Sequence, residues 1–120
     1  MRRDSWFVLV VVERDGVVRR LIVSQVERLG AIRYPSDDLE SALQLVAEEP
    51  RARTMLVDFV LAGSDIDDWV SRIRTVRPEM AIIGTGVVGA ESDIRARGIT
   101  GVLRKLWRID DLVDATEGRC

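Results

Sequence analysis

Trp6-Phe7-Val8-Leu9-Val10-Val11-Val12, closed by Glu13-Arg14-Asp15-Gly16, is an unbroken apolar run that ends abruptly on charge. A strand with one face in water alternates apolar and polar residues, whereas a continuous, mostly β-branched run fits a strand buried on both faces of a parallel sheet. Arg2 and Arg3 ahead of the run give it the outline of a signal peptide. The apolar part is too short for that, and Glu13, Arg14 and Asp15 stand where a cleavage site needs small residues. The expectation is a central parallel strand.

Four more short apolar runs follow: Ala31 to Tyr34, Met55 to Val60, Ala81 to Ile83 and Ile99 to Leu103. Between them the apolar spacing becomes helical. The stripes are Val18, Leu21, Ile22, Val26 and Leu29, then Leu39, Ala42, Leu43 and Val46, then Ile66, Trp69, Val70, Ile73 and Val76. Gly30 is expected to stop the first helix, Ser36 and Ser64 to cap the second and third, and Pro78 to follow the third. From Gly86 to Gly98 only Ala90 and Ile94 read as inward residues, so the fourth helix is expected to be short. A last helix begins near Arg108 with Ile109, Leu112 and Val113 on one side. Strand and helix alternate, and right-handed crossovers fold such units into a parallel sheet covered on both faces, a three-layer (βα)5 α/β sandwich.

The 120 residues, 47% of them hydrophobic, suit a single domain over 1–120. Interspersed charges with a net of −2 make nucleic acid and membrane poor candidates as partners. There is no histidine, and the one cysteine is Cys120, which leaves no disulfide, no zinc cluster and none of the usual catalytic dyads. The expected compartment is the cytoplasm.

In an open parallel sheet, sites form beyond the carboxyl ends of the strands. Those ends carry Glu13, Arg14 and Asp15, then Asp58, then Thr85, then Lys105. Asp58 sits inside the apolar run Met55-Leu56-Val57-Asp58-Phe59-Val60, where a carboxylate is costly unless something uses it. Taken singly, Asp58 also reads as a turn residue or helix cap, Thr85 as strand-end capping and Lys105 as a solvated lysine.

Val11-Val12-Glu13-Arg14-Asp15-Gly16, Leu56-Val57-Asp58 with Leu61-Ala62-Gly63, Ile82-Ile83-Gly84-Thr85-Gly86 and Gly101-Val102-Leu103-Arg104-Lys105 together resemble the strand-end motifs of response-regulator receiver domains. The resemblance runs from about residue 6 to residue 117. It implies a flavodoxin-like fold with a parallel sheet of order 2-1-3-4-5 and a role in two-component (phosphorelay) signalling. Asp58 would be the phosphoacceptor, Thr85 a hydrogen-bond donor to the phosphoryl group and Lys105 its counter-charge. Glu13, Asp58 and the Val60 carbonyl would form a weak Mg²⁺ site. Such a domain is no enzyme in its own right, only a substrate that assists its own phosphorylation. Its partner would be a histidine kinase, a phosphotransfer protein or another protein target, with a homodimer as a further expectation.

The pattern breaks in three places. Arg14 stands where receivers carry a second acid, and a cation about 4 Å from Asp58 would compete with Mg²⁺ by roughly 4 kcal/mol before desolvation. Asp15 in that loop reads as outward or helix-capping. Val102 replaces the switching aromatic, and Leu106 replaces the proline after the lysine. Two functions therefore stay open: a stand-alone phosphorylatable receiver, and a pseudo-receiver that binds partners without phosphorylation, which Arg14 slightly favours. In the second case Arg14 or Lys105 is expected to hold Asp58 as a fixed ion pair. A remote alternative is nucleotide binding through Gly84-Thr85-Gly86-Val87-Val88-Gly89, a glycine fingerprint in the wrong place along the chain. Asp65, Asp67 and Asp68 read as complements of a helix dipole rather than metal ligands. Val87, Val88, Leu106 and Trp107, with Val102, are expected to form the output surface.

Overall fold

The computed structural model describes residues 8–27, 32–60, 62–63, 65–87, 89, 91–104 and 109–116. Five strands, β1 (Val8–Val12), β2 (Ile32–Ser36), β3 (Thr54–Asp58), β4 (Ala81–Thr85) and β5 (Gly101–Leu103), alternate with α1 (Gly16–Glu27), α2 (Leu39–Glu48), α3 (Ile66–Val76), α4 (Glu91–Ala96) and α5 (Ile109–Thr116). All pairings are parallel, in the order β2-β1-β3-β4-β5. This is the expected flavodoxin-like arrangement.

The unbroken apolar run of β1 is explained by the two faces it serves. Val8, Val10 and Val12 join Met55, Val57 and Ile82 under Leu39, Ala42, Val46, Val70, Ile73 and Ile94 of α2, α3 and α4. Leu9 and Val11 join Leu56, Ile83 and Leu103 under Ile22 and Val26 of α1 and Leu112 and Ala115 of α5. Side chains alternate across a strand, so β1 must be apolar at every position to fill both layers. Gly84 is required by close approach: a Cβ there would lie 2.8 Å from both Phe59 and Val87 side-chain carbons. Among the described residues no helix is long and apolar enough to cross a membrane.

Several boundaries differ from the sequence expectation. β3 ends at Asp58 instead of running to Val60, because the Asp58 carboxylate takes the Val60 N–H at 3.0 Å and turns the chain, leaving Val60 68% exposed. β4 extends through Thr85, and β5 starts only at Gly101. Thr100 still joins the ladder, with its hydroxyl accepting the Ile82 N–H at 2.9 Å in place of a carbonyl. The cap of α2 is Asp38, whose carboxylate accepts the Ser41 N–H at 2.7 Å; Ser36 closes β2 instead. On α1 only Ile22 and Val26 are buried, while Val17, Val18 and Leu21 are exposed. A helix lying on a sheet buries a narrow seam, and Leu21 is one residue, about 100°, round from Ile22. Val18 lies on the same line as Ile22 and Val26 but in the first turn, where it is 39% exposed. The N-cap position of α3 is Asp65 in place of Ser64, with no side-chain cap hydrogen bond, and the expected Gly30 stop and Arg108 helix start lie outside the described residues.

Candidate functional site

Strand register builds the site. β1 and β3 are aligned Val12 to Val57, so Glu13 and Asp58 leave the sheet at the same level. Asp58 pairs in register with Thr85, and Thr85 with Leu103, the last residue of β5. Neighbouring strands lie about 4.8 Å apart, so Glu13, Asp58 and Thr85 stand side by side at one rim. The Phe59 N–H donates to the Thr85 carbonyl at 2.9 Å and carries the ladder one residue past Asp58. Lys105 lies outside the described residues.

Glu13 is held at several points. Its N–H donates to the Ser36 carbonyl at 3.0 Å, and its carboxylate accepts the Asp15 N–H at 3.0 Å. The side chain is only 8% exposed. Burial, followed by the neighbouring Asp58 carboxylate, raises its pKa above the ordinary 4.5, against the lowering effect of the Asp15 N–H. Asp15 takes the helix-capping role: its carboxylate accepts the Val17 and Val18 N–H groups at 2.8 and 3.2 Å.

Arg14 does not hold Asp58. Its side chain is exposed, and among the described residues it forms no ion pair with the carboxylate. At a strand end successive side chains point to opposite sides, so a buried Glu13 directs Arg14 away, and desolvating a guanidinium would be costly. Of the two cations expected to hold Asp58, Arg14 leaves Glu13 and Asp58 as adjacent carboxylates, and Lys105 lies outside the described residues.

That pair of carboxylates supplies hard oxygen donors, and a divalent cation would relieve the smaller, like-charge part of the rise in the Glu13 pKa, whose main cause is burial. The residues present therefore fit Mg²⁺, though loosely. The Val60 carbonyl already accepts the Gly63 N–H at 3.3 Å, which leaves one lone pair. Among the described residues no three Asp, Glu, His or Cys side chains converge as a metal cluster.

Gly86 closes the pocket from the β4 side. It has φ +72°, and a Cβ there would collide with Val60 Cγ2 and lie 3.3 Å from Asp58 Oδ1. Of the glycines that formally matched a nucleotide fingerprint, Gly84 and Gly86 thus serve close approach to Phe59 and Val60, while a Cβ at Gly89 would meet nothing within 4 Å. Sequence reasoning missed this use of Gly86, although a glycine beside a strand-end threonine was a signal for it.

No family model matches the sequence, and a comparison with curated proteins returns no match. Solved structures do match. CheY4, a chemotaxis protein from Vibrio cholerae, aligns with TM-score 0.76 at 17% identity over 92% of this chain and 95% of that one. The receiver fold is therefore shown. A response regulator protein from Burkholderia pseudomallei, solved with a phosphorylated aspartic acid, calcium ion and citrate, shares this fold with TM-score 0.76 and 18% identity over 91% of this chain and 65% of that one. NtrX from Brucella abortus, solved with ATP, matches at TM-score 0.75 and 22% identity over 92% of this chain, which spans only 26% of that structure.

The output-surface residues divide. Val87 is buried, 6% exposed, and packs with Phe59 over Gly84, so it belongs to the core and not to an exposed patch. Gly84 has no Cβ to hold it off, so Val87 settles against the space a side chain would fill. Val102 is partly buried against the same core. Val88, Leu106 and Trp107, and with Leu106 the bond before it, lie outside the described residues. Asp67 forms a 2.7 Å ion pair with Arg97, a structural use for part of the acidic cluster.

Proposed function

We propose that this chain works as a phosphorylatable receiver with Asp58 as the acceptor, in two-component signalling in the cytoplasm. The observation that carries this reading is the buried Glu13 carboxylate beside Asp58, without an Arg14 guanidinium between them. A binding-only module would gain nothing from two crowded carboxylates, whereas phosphoryl transfer uses one as nucleophile and the other to help place a cation. An Asp58 carboxylate oxygen forms the O–P bond as the donor's own bond to phosphorus breaks, and the leaving group keeps that electron pair. Mg²⁺, when bound by Glu13, Asp58 and the Val60 carbonyl, supplies neutralising charge. Thr85 donates to a phosphoryl oxygen, and Lys105 is the expected counter-charge.

The donor is a histidine kinase or a phosphotransfer protein. The described residues expose four large hydrophobic side chains, Val17, Val18 and Leu21 at the start of α1 and Val60 just after Asp58. Val17 and Val18 open the helix that follows the Glu13 loop and Val60 follows Asp58, and exposed apolar groups beside a polar centre suit a protein partner more than a small solute. The second reading, a pseudo-receiver, rests on the family departures at Arg14, Val102 and Leu106.

Two measurements separate these readings. With Mg²⁺ and a small phosphodonor, the wild type should gain the mass of one acid-labile phosphoryl group, and Asp58→Asn should gain none. Without Mg²⁺, Asp58→Asn should be neutral or stabilising by up to about 1 kcal/mol, because asparagine keeps the acceptor for the Val60 N–H while removing like-charge crowding. A fixed buried ion pair would instead make the same change destabilising by about 3 kcal/mol. The pH dependence has a definite sign. Glu13 is raised in the folded state, so its contribution is full below its unfolded value and is lost as pH rises through the raised folded value. Asp58→Asn should reduce that loss, so its advantage should be larger near pH 7 than near pH 4. Wild type that takes up no phosphoryl group, with a destabilised Asp58→Asn, would leave the pseudo-receiver standing.

Mg²⁺ alone should bind in the millimolar range, as for few-carboxylate sites. Arg14→Asp should tighten it about fivefold, the effect of roughly 1 kcal/mol for reversing a solvated charge near the rim. Amide shifts during titration read both values, and unchanged affinity in Arg14→Asp would place that side chain too far from the pocket to act on it.

A further inference from the structure

Arg19 is the fourth residue of α1, a helix with no acidic residue in its first turn. A cation there is electrostatically misplaced, since the amino end of a helix favours negative charge. Helical side chains lean toward the amino end, which carries the Arg19 guanidinium back over the preceding loop. Its Nη1 donates to the Glu13 carbonyl at 2.7 Å and to the Arg14 carbonyl at 3.3 Å. The Arg19 N–H meanwhile donates to the Asp15 carbonyl at 2.8 Å. One residue thus bonds three successive carbonyls of the loop that joins β1 to α1.

Those carbonyls belong to the segment that aims the pocket carboxylate. Glu13 is fixed on its amino side by the Ser36 carbonyl and at its carboxylate by the Asp15 N–H. On its carbonyl side the fixed group is Arg19. We propose that Arg19 is a positioning residue of the acidic pocket: by clamping the Glu13 and Arg14 carbonyls it holds the Glu13 carboxylate in the place where it meets Asp58 and a divalent cation. The cation part of this statement rests on the receiver reading above, while the loop clamp does not. Arg19 touches neither Asp58 nor a reacting atom and acts through Glu13. Outer groups that orient a metal ligand commonly change metal affinity by 10- to 100-fold, so the effect should be measurable even at a weak site.

The test compares wild type, Arg19→Ala and Arg19→Lys by amide hydrogen exchange, by Mg²⁺ titration and by urea unfolding. In Arg19→Ala the Asp15 amide, which donates to the Glu13 carboxylate, should lose protection while the amides of β1 keep theirs. Mg²⁺ affinity should fall about tenfold. The urea midpoint should fall modestly for the lost carbonyl bonds, while the m-value stays that of wild type, because the core contacts of Ile22 and Val26 are untouched. Arg19→Lys, whose ammonium reaches one carbonyl, should recover part of both effects. An Arg19→Ala protein with full Asp15 protection overturns the clamp, whatever its metal binding. If Asp15 protection falls and Mg²⁺ affinity holds, the positioning role is overturned and only the loop contact survives. Should wild type itself bind no Mg²⁺ at millimolar concentrations, the receiver reading fails, and the Asp15 amide still decides the clamp.

Discussion

Arg77→Ala is expected to lower the unfolding free energy by about 3 kcal/mol, with the urea m-value unchanged. Arg77 follows α3 and reaches across to the end of α2. Its Nη2 donates to the Val46 carbonyl at 3.0 Å, and its Nη1 to the Glu49 and Ala52 carbonyls at 3.1 and 2.6 Å. The last carbonyls of a helix have no partner within it, and here one planar fork adds to the Glu49 N–H at the Val46 carbonyl and bonds the C-cap Glu49 and the entry into β3. Each charge-assisted bond is worth about 1.5–3 kcal/mol, but they share one guanidinium and water can reach part of the gap, so the loss is less than their sum. Arg77→Lys should recover less than half, because an ammonium cannot span the same set of carbonyls. A loss below about 1 kcal/mol in Arg77→Ala would mean that water replaces the fork almost fully.

Gly86→Ala carries the second large effect, and it falls on the site. The left-handed backbone costs an L-residue about 1–2 kcal/mol, and the collision with Val60 adds about 1 kcal/mol or more. A total near 2–3 kcal/mol is expected. Relief requires the Val60 turn to move, and that turn is anchored on the Asp58 carboxylate. Phosphoryl uptake by Asp58 should therefore slow in the Gly86→Ala protein even under conditions where it is fully folded. Gly84→Ala provides the contrast. Its Cβ would meet Phe59 and Val87 at 2.8 Å in the core, so about 1–3 kcal/mol of stability should be lost while uptake by the folded protein is little changed. Equal uptake rates in wild type and Gly86→Ala would show that the Val60 turn and the Asp58 carboxylate move independently.

The carboxyl ends of the strands were legible because burial on both faces leaves almost no freedom of composition. A carboxylate in the run Met55 to Val60 is visible as a site residue for that reason alone. Arg19 was harder to see. Its signal was a cation in a first helical turn without an acidic partner, which says that the residue is misplaced but not what it bonds. The stripe on α1 was read too wide, since periodicity gives a direction while the width of the buried seam depends on the surface beneath it. A loop after a strand is usually exposed, which predicts an exposed Val87, whereas the room that Gly84 leaves for it acts only through packing.

The amino-acid sequence by itself determined the alternation of strands and helices, the double burial of β1, and the presence of Glu13, Asp58 and Thr85 at strand ends. These follow from local composition, where each residue reports its own solvation. The pairing of Val12 with Val57 and of Asp58 with Thr85, the turning of Arg14 to solvent, and the capture of carbonyls by Arg19 and Arg77 were decided only by the tertiary structure. Each depends on the register of neighbouring strands or on a reach between elements, and a guanidinium selects its partners by geometry among many carbonyls that are chemically alike.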